Sequence, residues 1–124
     1  MNTQAQKRGE WEPVLRHATN LTISEKPKKV FTFFVADELD NNTINIWKAI
    51  ASVPLKSSQE IKYKDITVKN VTIMPIKNKE LNEFIVNNIS EEIILSTIES
   101  SFEVHTNEFD LHWRNKIMDE INMA

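Results

Sequence analysis

Val30-Phe31-Thr32-Phe33-Phe34-Val35-Ala36 runs directly into Asp37-Glu38-Leu39-Asp40, and the reading of the rest of the chain is built outward from this junction. β-Branched and aromatic side chains suit a pleated surface packed on both faces, so the unbroken apolar run predicts a buried central strand. Lys26-Pro27-Lys28-Lys29 forms a turn before it, and acids follow it. Beyond the acids, Asp40, Asn42 or Thr43 can cap a helix whose Ile46, Trp47, Ile50 and Val53 recur at helical spacing. Pro54 would end that helix.

Upstream, Leu21 and Ile23 suggest a short strand, and Trp11 with Val14 and Leu15 a short amphipathic piece. Downstream, residues 60–76 alternate over much of their length: Ile61 and Tyr63 oppose Lys62 and Lys64, and after a turn at Lys64-Asp65 the pattern resumes at Ile66 and Val68. Val71 and Ile73 take the other parity, which marks a bulge or second turn at Lys69-Asn70. Pro75 closes the strand or places it at an edge. From Lys79 the period turns helical through Leu81, Phe84, Ile85 and Ile89, and Ser90 can cap a second helix bearing Ile94, Ile98 and Phe102.

The last segment has two readings. Phe109, Trp113, Ile117 and Ile121 make a helical stripe capped at Thr106 or Asn107. Phe102, Val104, Phe109, Leu111 and Trp113 also alternate, as a hairpin would. The helix is the favoured reading. The expected architecture is a single α+β domain over residues 11–124, with a small, mainly antiparallel sheet packed against helices on one face, after a polar, flexible leader at residues 1–10.

Composition narrows function mainly by exclusion. Of 124 residues, 40% are apolar and 27% charged, ordinary values for a folded soluble domain. The single glycine is Gly9, so phosphate-cradling loops, dinucleotide fingerprints and nucleophile elbows have no glycine where they need one. Cysteine is absent, which removes disulfide scaffolds, thiolate zinc sites and cysteine nucleophiles. Lys7 and Arg8 are followed by no apolar stretch, and the run to Ala36 is too short to span a bilayer, so a cytoplasmic protein is expected. Frequent Ile, Asn and Lys fit an A/T-rich source such as a bacterium, phage or plasmid. Charge is polarised: residues 1–77 hold twelve Lys/Arg against eight Asp/Glu, whereas residues 78–124 hold three against ten. Such a surface can steer a charged partner, or its two layers can shield one another.

Four constellations could carry chemistry. Asp37 and Asp40, at the carboxyl end of a buried strand, could hold Mg²⁺ with a third acid in a nuclease or phosphatase; as plain structure they are a loop that caps the next helix. His105, Glu108 and His112 could share a helix face and take zinc, but the cap at Thr106/Asn107 leaves His105 outside, and no metal is expected. Lys28, Lys29, Lys62, Lys64 and Lys69, near Tyr63, could neutralise phosphates. Yet Tyr63 has the opposite parity to Lys62 and Lys64, and lysines are also the common guard of an edge strand.

The fourth is an apolar surplus. In the helical reading Leu111 and Met118 lie opposite the Trp113 stripe, so the helix is either sandwiched or presents a face to a partner. These patterns predict a non-enzymatic protein-binding module without catalytic residues or cofactor. Leu111, Trp113 and Met118 would be its anchors, with Glu99, Glu103, Glu108 and Asp110 as an acidic rim for another, basic protein or for self-association. The alternatives are the Lys-rich nucleic-acid accessory, which the acidic total does not favour, and the Asp37/Asp40 Mg²⁺ enzyme.

Overall fold

Residues 72–77 decide the architecture, because every side chain from Thr72 to Ile76 is buried. The computed structural model describes residue 3 and residues 12–25, 29–52, 55–56, 67–68, 71–103 and 111–123. Their elements are α1 (Glu12–Ser24), β1 (Phe31–Ala36), α2 (Asn41–Ile50), β2 (Leu55–Lys56), β3 (Thr67–Val68), β4 (Thr72–Lys77), α3 (Asn78–Val86), α4 (Glu91–Glu103) and α5 (Trp113–Met123).

β1 pairs with β4 in parallel, from Phe31 beside Thr72 to Ala36 beside Lys77. β2 and β3 make a separate antiparallel pair of two residues each. The expected mainly antiparallel sheet is therefore wrong: among the described residues the larger sheet is a two-stranded parallel one, reached by a crossover through α2. The expectation of helices on one face fails with it. Parallel strands need both faces covered, and β4 alternates accordingly. Val71 and Ile73 enter a cluster with Ala18 and Ile23 of α1, Phe34, and Trp47 of α2. Met74 and Ile76 enter the other, with Phe84, Ile98, Phe102, Trp113, Ile117 and Ile121 from α3, α4 and α5. The alternation seen in the sequence at residues 71–76 is real, but the direction of its partner cannot be read from it.

Leu21 and Ile23 belong to α1 and not to a strand. The buried stripe of that helix includes Ala18 and Thr19, which carry little hydrophobic signal. The Thr19 and Thr22 hydroxyls donate to the carbonyls of Leu15 and Ala18 at 2.8 and 2.7 Å, so their polar atoms are satisfied inside the helix. Pro75 sits inside β4, fully buried opposite Phe34. β4 has a strand on one side only among the described residues, so a proline there need cost no ladder bond.

The helix boundaries follow ordinary cap chemistry. Asp40 caps α2, and the Ser90 hydroxyl accepts the Ile93 N–H at 3.2 Å at the start of α4. Between α3 and α4 the chain needs a left-handed residue and uses Asn88, at φ 52°, where glycine would be usual. The Ile89 N–H reaches the Phe84 carbonyl and the Asn88 N–H reaches the Ile85 carbonyl, both at 3.1 Å, closing a Schellman turn without glycine. Lys48 ties α2 to α4: its ammonium donates to the Ser101 carbonyl at 2.8 Å and lies 5.0 Å from the Phe102 ring centre. Burial pushes its pKa below the ordinary lysine value.

Residues 1–2, 4–11 and 57–66, and with them most of the leader and Trp11, lie outside the described residues. No helix of the described residues is long and apolar enough to cross a membrane.

Candidate functional site

β1 and β4 end level with one another, Ala36 beside Lys77, so the segments leaving the two strands meet at that end of the sheet. After β1 the chain bends through Asp37 and Glu38 to Asp40. The Asp40 Oδ2 accepts both the Thr43 backbone N–H and its hydroxyl at 3.1 Å, the geometry of an N-cap. After β4, Lys77 leads straight into α3. The side-chain amide of Asn78 donates to the Asp37 carboxylate and joins the two strand ends.

Beneath this contact lies an enclosed ion pair. Glu80 Oε1 accepts the Lys77 backbone N–H at 2.8 Å and the Arg114 guanidinium at 2.7 Å, so α5 is pinned to the start of α3. The two side chains are 14% and 10% exposed, enough enclosure for loss of either partner to leave an uncompensated charge. Only half of this pair is legible in the sequence. A Glu in the third position of a helix is a visible capping signal, whereas the distant arginine is not.

The helices α2 and α3 both begin at this end of the sheet, with their positive dipole ends and exposed side chains of Asn41, Asn42, Asn78 and Lys79. Such donors suit phosphate oxygens and base edges. Asp37 and Glu38, also exposed, add negative charge beside them.

Both carboxylates of the Mg²⁺ reading already accept hydrogen bonds. Asp40 is engaged in its cap and Asp37 with Asn78. Among the described residues no three His, Asp or Glu side chains gather as ligands. The third carboxylate that the Mg²⁺ reading required is not found there. His112 is exposed in the turn before α5, while His105 and Glu108 lie outside the described residues.

Among the described residues the expected protein-binding patch does not assemble. Trp113 and Met118 are 6% and 5% exposed and belong to the core, with Trp113 edge-on to Phe102 at 5.5 Å between ring centres. Leu111 is 72% exposed, but it lies in the turn before α5 and so defines no second helix face. The helix starts at Trp113, later than the Thr106/Asn107 cap implied. Glu99 of α4 pairs with Lys29, just before β1. Glu108 and Asp110, the Glu103 side chain, and Lys28, Lys62, Lys64 and Lys69 lie outside the described residues.

The AlwI restriction endonuclease family matches residues 1–85, a span that takes in both parallel strands and most of α3. The chain belongs to the AlwI restriction endonuclease family. No curated protein and no solved structure matches it. Membership in a family of enzymes overturns the expectation of a non-enzymatic binding module, and of the three sequence readings it favours the nuclease. The glycine-based exclusions are not contradicted, since they removed phosphate loops and nucleophile elbows and left carboxylate nucleases untouched.

Proposed function

We propose that this AlwI-family chain acts on duplex DNA as part of a restriction endonuclease, meeting the DNA at the carboxyl ends of β1 and β4. The family match carries the reading, because its span contains both strands and the residues just beyond them. In open sheets with parallel strands, ligands characteristically bind outside the carboxyl ends. Here that end offers two helix N-termini and the exposed side chains of Asn41, Asn42, Asn78 and Lys79. Asparagine can accept and donate to a base edge at once, and lysine neutralises a phosphate. What these residues supply is contact and orientation: Asn78 is held against Asp37, and Glu80 with Arg114 fixes the first turn of α3 on which Asn78 and Lys79 stand. The expectation that nucleic acid is not the partner is given up in this reading.

Fluorescence anisotropy with a labelled duplex tests it. Binding should weaken as salt rises, and Lys79→Glu should weaken it about tenfold and lower the salt slope by about one, as for a single phosphate contact. Equal affinity for the variant and the wild type at low salt would place the DNA elsewhere.

A further inference from the structure

An apolar groove of about 230 Å³ runs between α3 and α4, lined by Phe33 of β1, Leu81, Phe84 and Ile85 of α3, and Ile94 and Leu95 of α4. That volume falls below the roughly 300–1,000 Å³ of a small-molecule site and suits a few side chains rather than a whole ligand. Phe84 is buried at its floor, whereas Ile85 at its rim is 73% exposed and the next residue, Val86, 72%. Two large aliphatic side chains in succession at the surface mark a contact area. The turn at Asn88 and Ile89 fixes the two helices where they meet, so the groove is formed before anything enters it.

The lining repeats at four-residue spacing on both helices, Leu81 with Ile85 and Glu91 with Leu95. Rows spaced in this way are the ridges of a helix surface, and the furrow between them matches the ridge of a third helix. An extended segment would need unpaired backbone groups to bond with, and two helices satisfy their own.

Charge decides what must flank the incoming apolar stripe. From Glu80 to Trp113 the chain holds eight Asp and Glu and no Lys or Arg. Glu91 lines the groove, and Glu92 is exposed next to it. Glu92 and Glu99 are seven residues apart on α4, two turns, and so share one flank of the helix. Glu99 already receives the ammonium of Lys29, which shows that a lysine fits against this flank. Phosphates of a nucleic acid or a lipid headgroup would be repelled by the same carboxylates.

We propose that the α3–α4 groove docks a cationic amphipathic helix of another polypeptide. Its apolar stripe enters beside Phe33 and Ile85, and its lysines or arginines meet Glu91 and Glu92. The docking stands apart from the DNA reading and does not depend on it.

Fluorescence anisotropy of a labelled synthetic helix of leucines and lysines, titrated with the full chain, should show saturable binding. The same helix with glutamates in place of the lysines should bind about tenfold or more weakly. Ile85→Asp alters an exposed rim position, and circular dichroism would check that the fold is kept. It should weaken the lysine helix about tenfold, whereas a diffuse attraction to an acidic surface would grow with the added negative charge. Glu91→Lys should weaken the lysine helix and tighten the glutamate one, a reversal that unfolding cannot produce. Equal binding of the two helices, or a lysine helix that Ile85→Asp leaves unchanged or tightens, would overturn the proposal. A dimer that Ile85→Asp disperses and the lysine helix does not displace would give the groove to a second copy and overturn it too. Binding to anionic lipid vesicles that Ile85→Asp abolishes would do the same in favour of a membrane.

Discussion

Trp47→Ala is expected to lower the unfolding free energy by about 3–5 kcal/mol, the range for removing a fully buried large aromatic side chain. Trp47 has no exposed surface, and its ring stands 5.4 Å from that of Phe34 between centres. It joins the crossover helix α2 to the face of β1 that packs with Val71 and Ile73. The loss would fall on the contact that lets β1 and β4 run parallel, since α2 is the connection between them. For a domain whose whole stability is on the order of 5–15 kcal/mol, much of the folded population would go. Urea titration followed by circular dichroism measures it. A loss below about 1 kcal/mol would mean that the Phe34 cluster is not a core of this protein.

Arg114→Ala should cost about 3 kcal/mol, because it strands the Glu80 carboxylate in an enclosed place. The Lys77 N–H, still bonded to Glu80 at 2.8 Å, offsets part of that charge, so the lower end of the buried-pair range applies. Adding Glu80→Gln to Arg114→Ala should restore part of the loss, because the neutral amide can still accept from Lys77. If the double variant is less stable than the single by the full effect of Glu80→Gln alone, the two residues act independently, contrary to the 2.7 Å contact. The readout is again the midpoint and slope of urea unfolding. Anisotropy of the Arg114 variant with duplex DNA would show whether loosening the first turn of α3 also disturbs Asn78 and Lys79.

The parts of the fold that could be read from sequence are those whose signals are local. The β1 run needed only its own composition, the Asp40 cap only Thr43, and the Ser90 start of α4 only the residues just after it. Direction of pairing is not local. Phe31 finds Thr72 forty-one positions away, and nothing in the alternation of residues 71–76 says whether that neighbour runs parallel. α1 is split for a different reason: Ala18 and Thr19 in the middle of its inner face carry little hydrophobic signal, so Val14 with Leu15 and Leu21 with Ile23 read as two separate pieces. The final helix misleads through Leu111, whose exposure comes from lying in a turn before the helix.

At the candidate site the sequence marks the acids that follow β1 but not the residues that hold them. Asp37 and Asp40 follow the end of the strand, as expected, although β1 is only partly buried and not the buried central strand its composition suggested. One is tied to Asn78 and the other caps a helix, and the partners that explain them, Asn78, Glu80 and Arg114, come from elements brought in by packing. Family membership is beyond the reach of residue patterns, since no spacing of acids or histidines in the chain declares a nuclease.

Two-dimensional ¹H–¹⁵N NMR of the full chain, titrated with a short duplex, tests the DNA reading most directly. The largest shifts should fall on Asn41, Asn42, Asn78 and Lys79, at the carboxyl ends of β1 and β4, and should diminish with added salt. Shifts concentrated instead on α1 or the far end of α5, or no shifts at low salt, would contradict it.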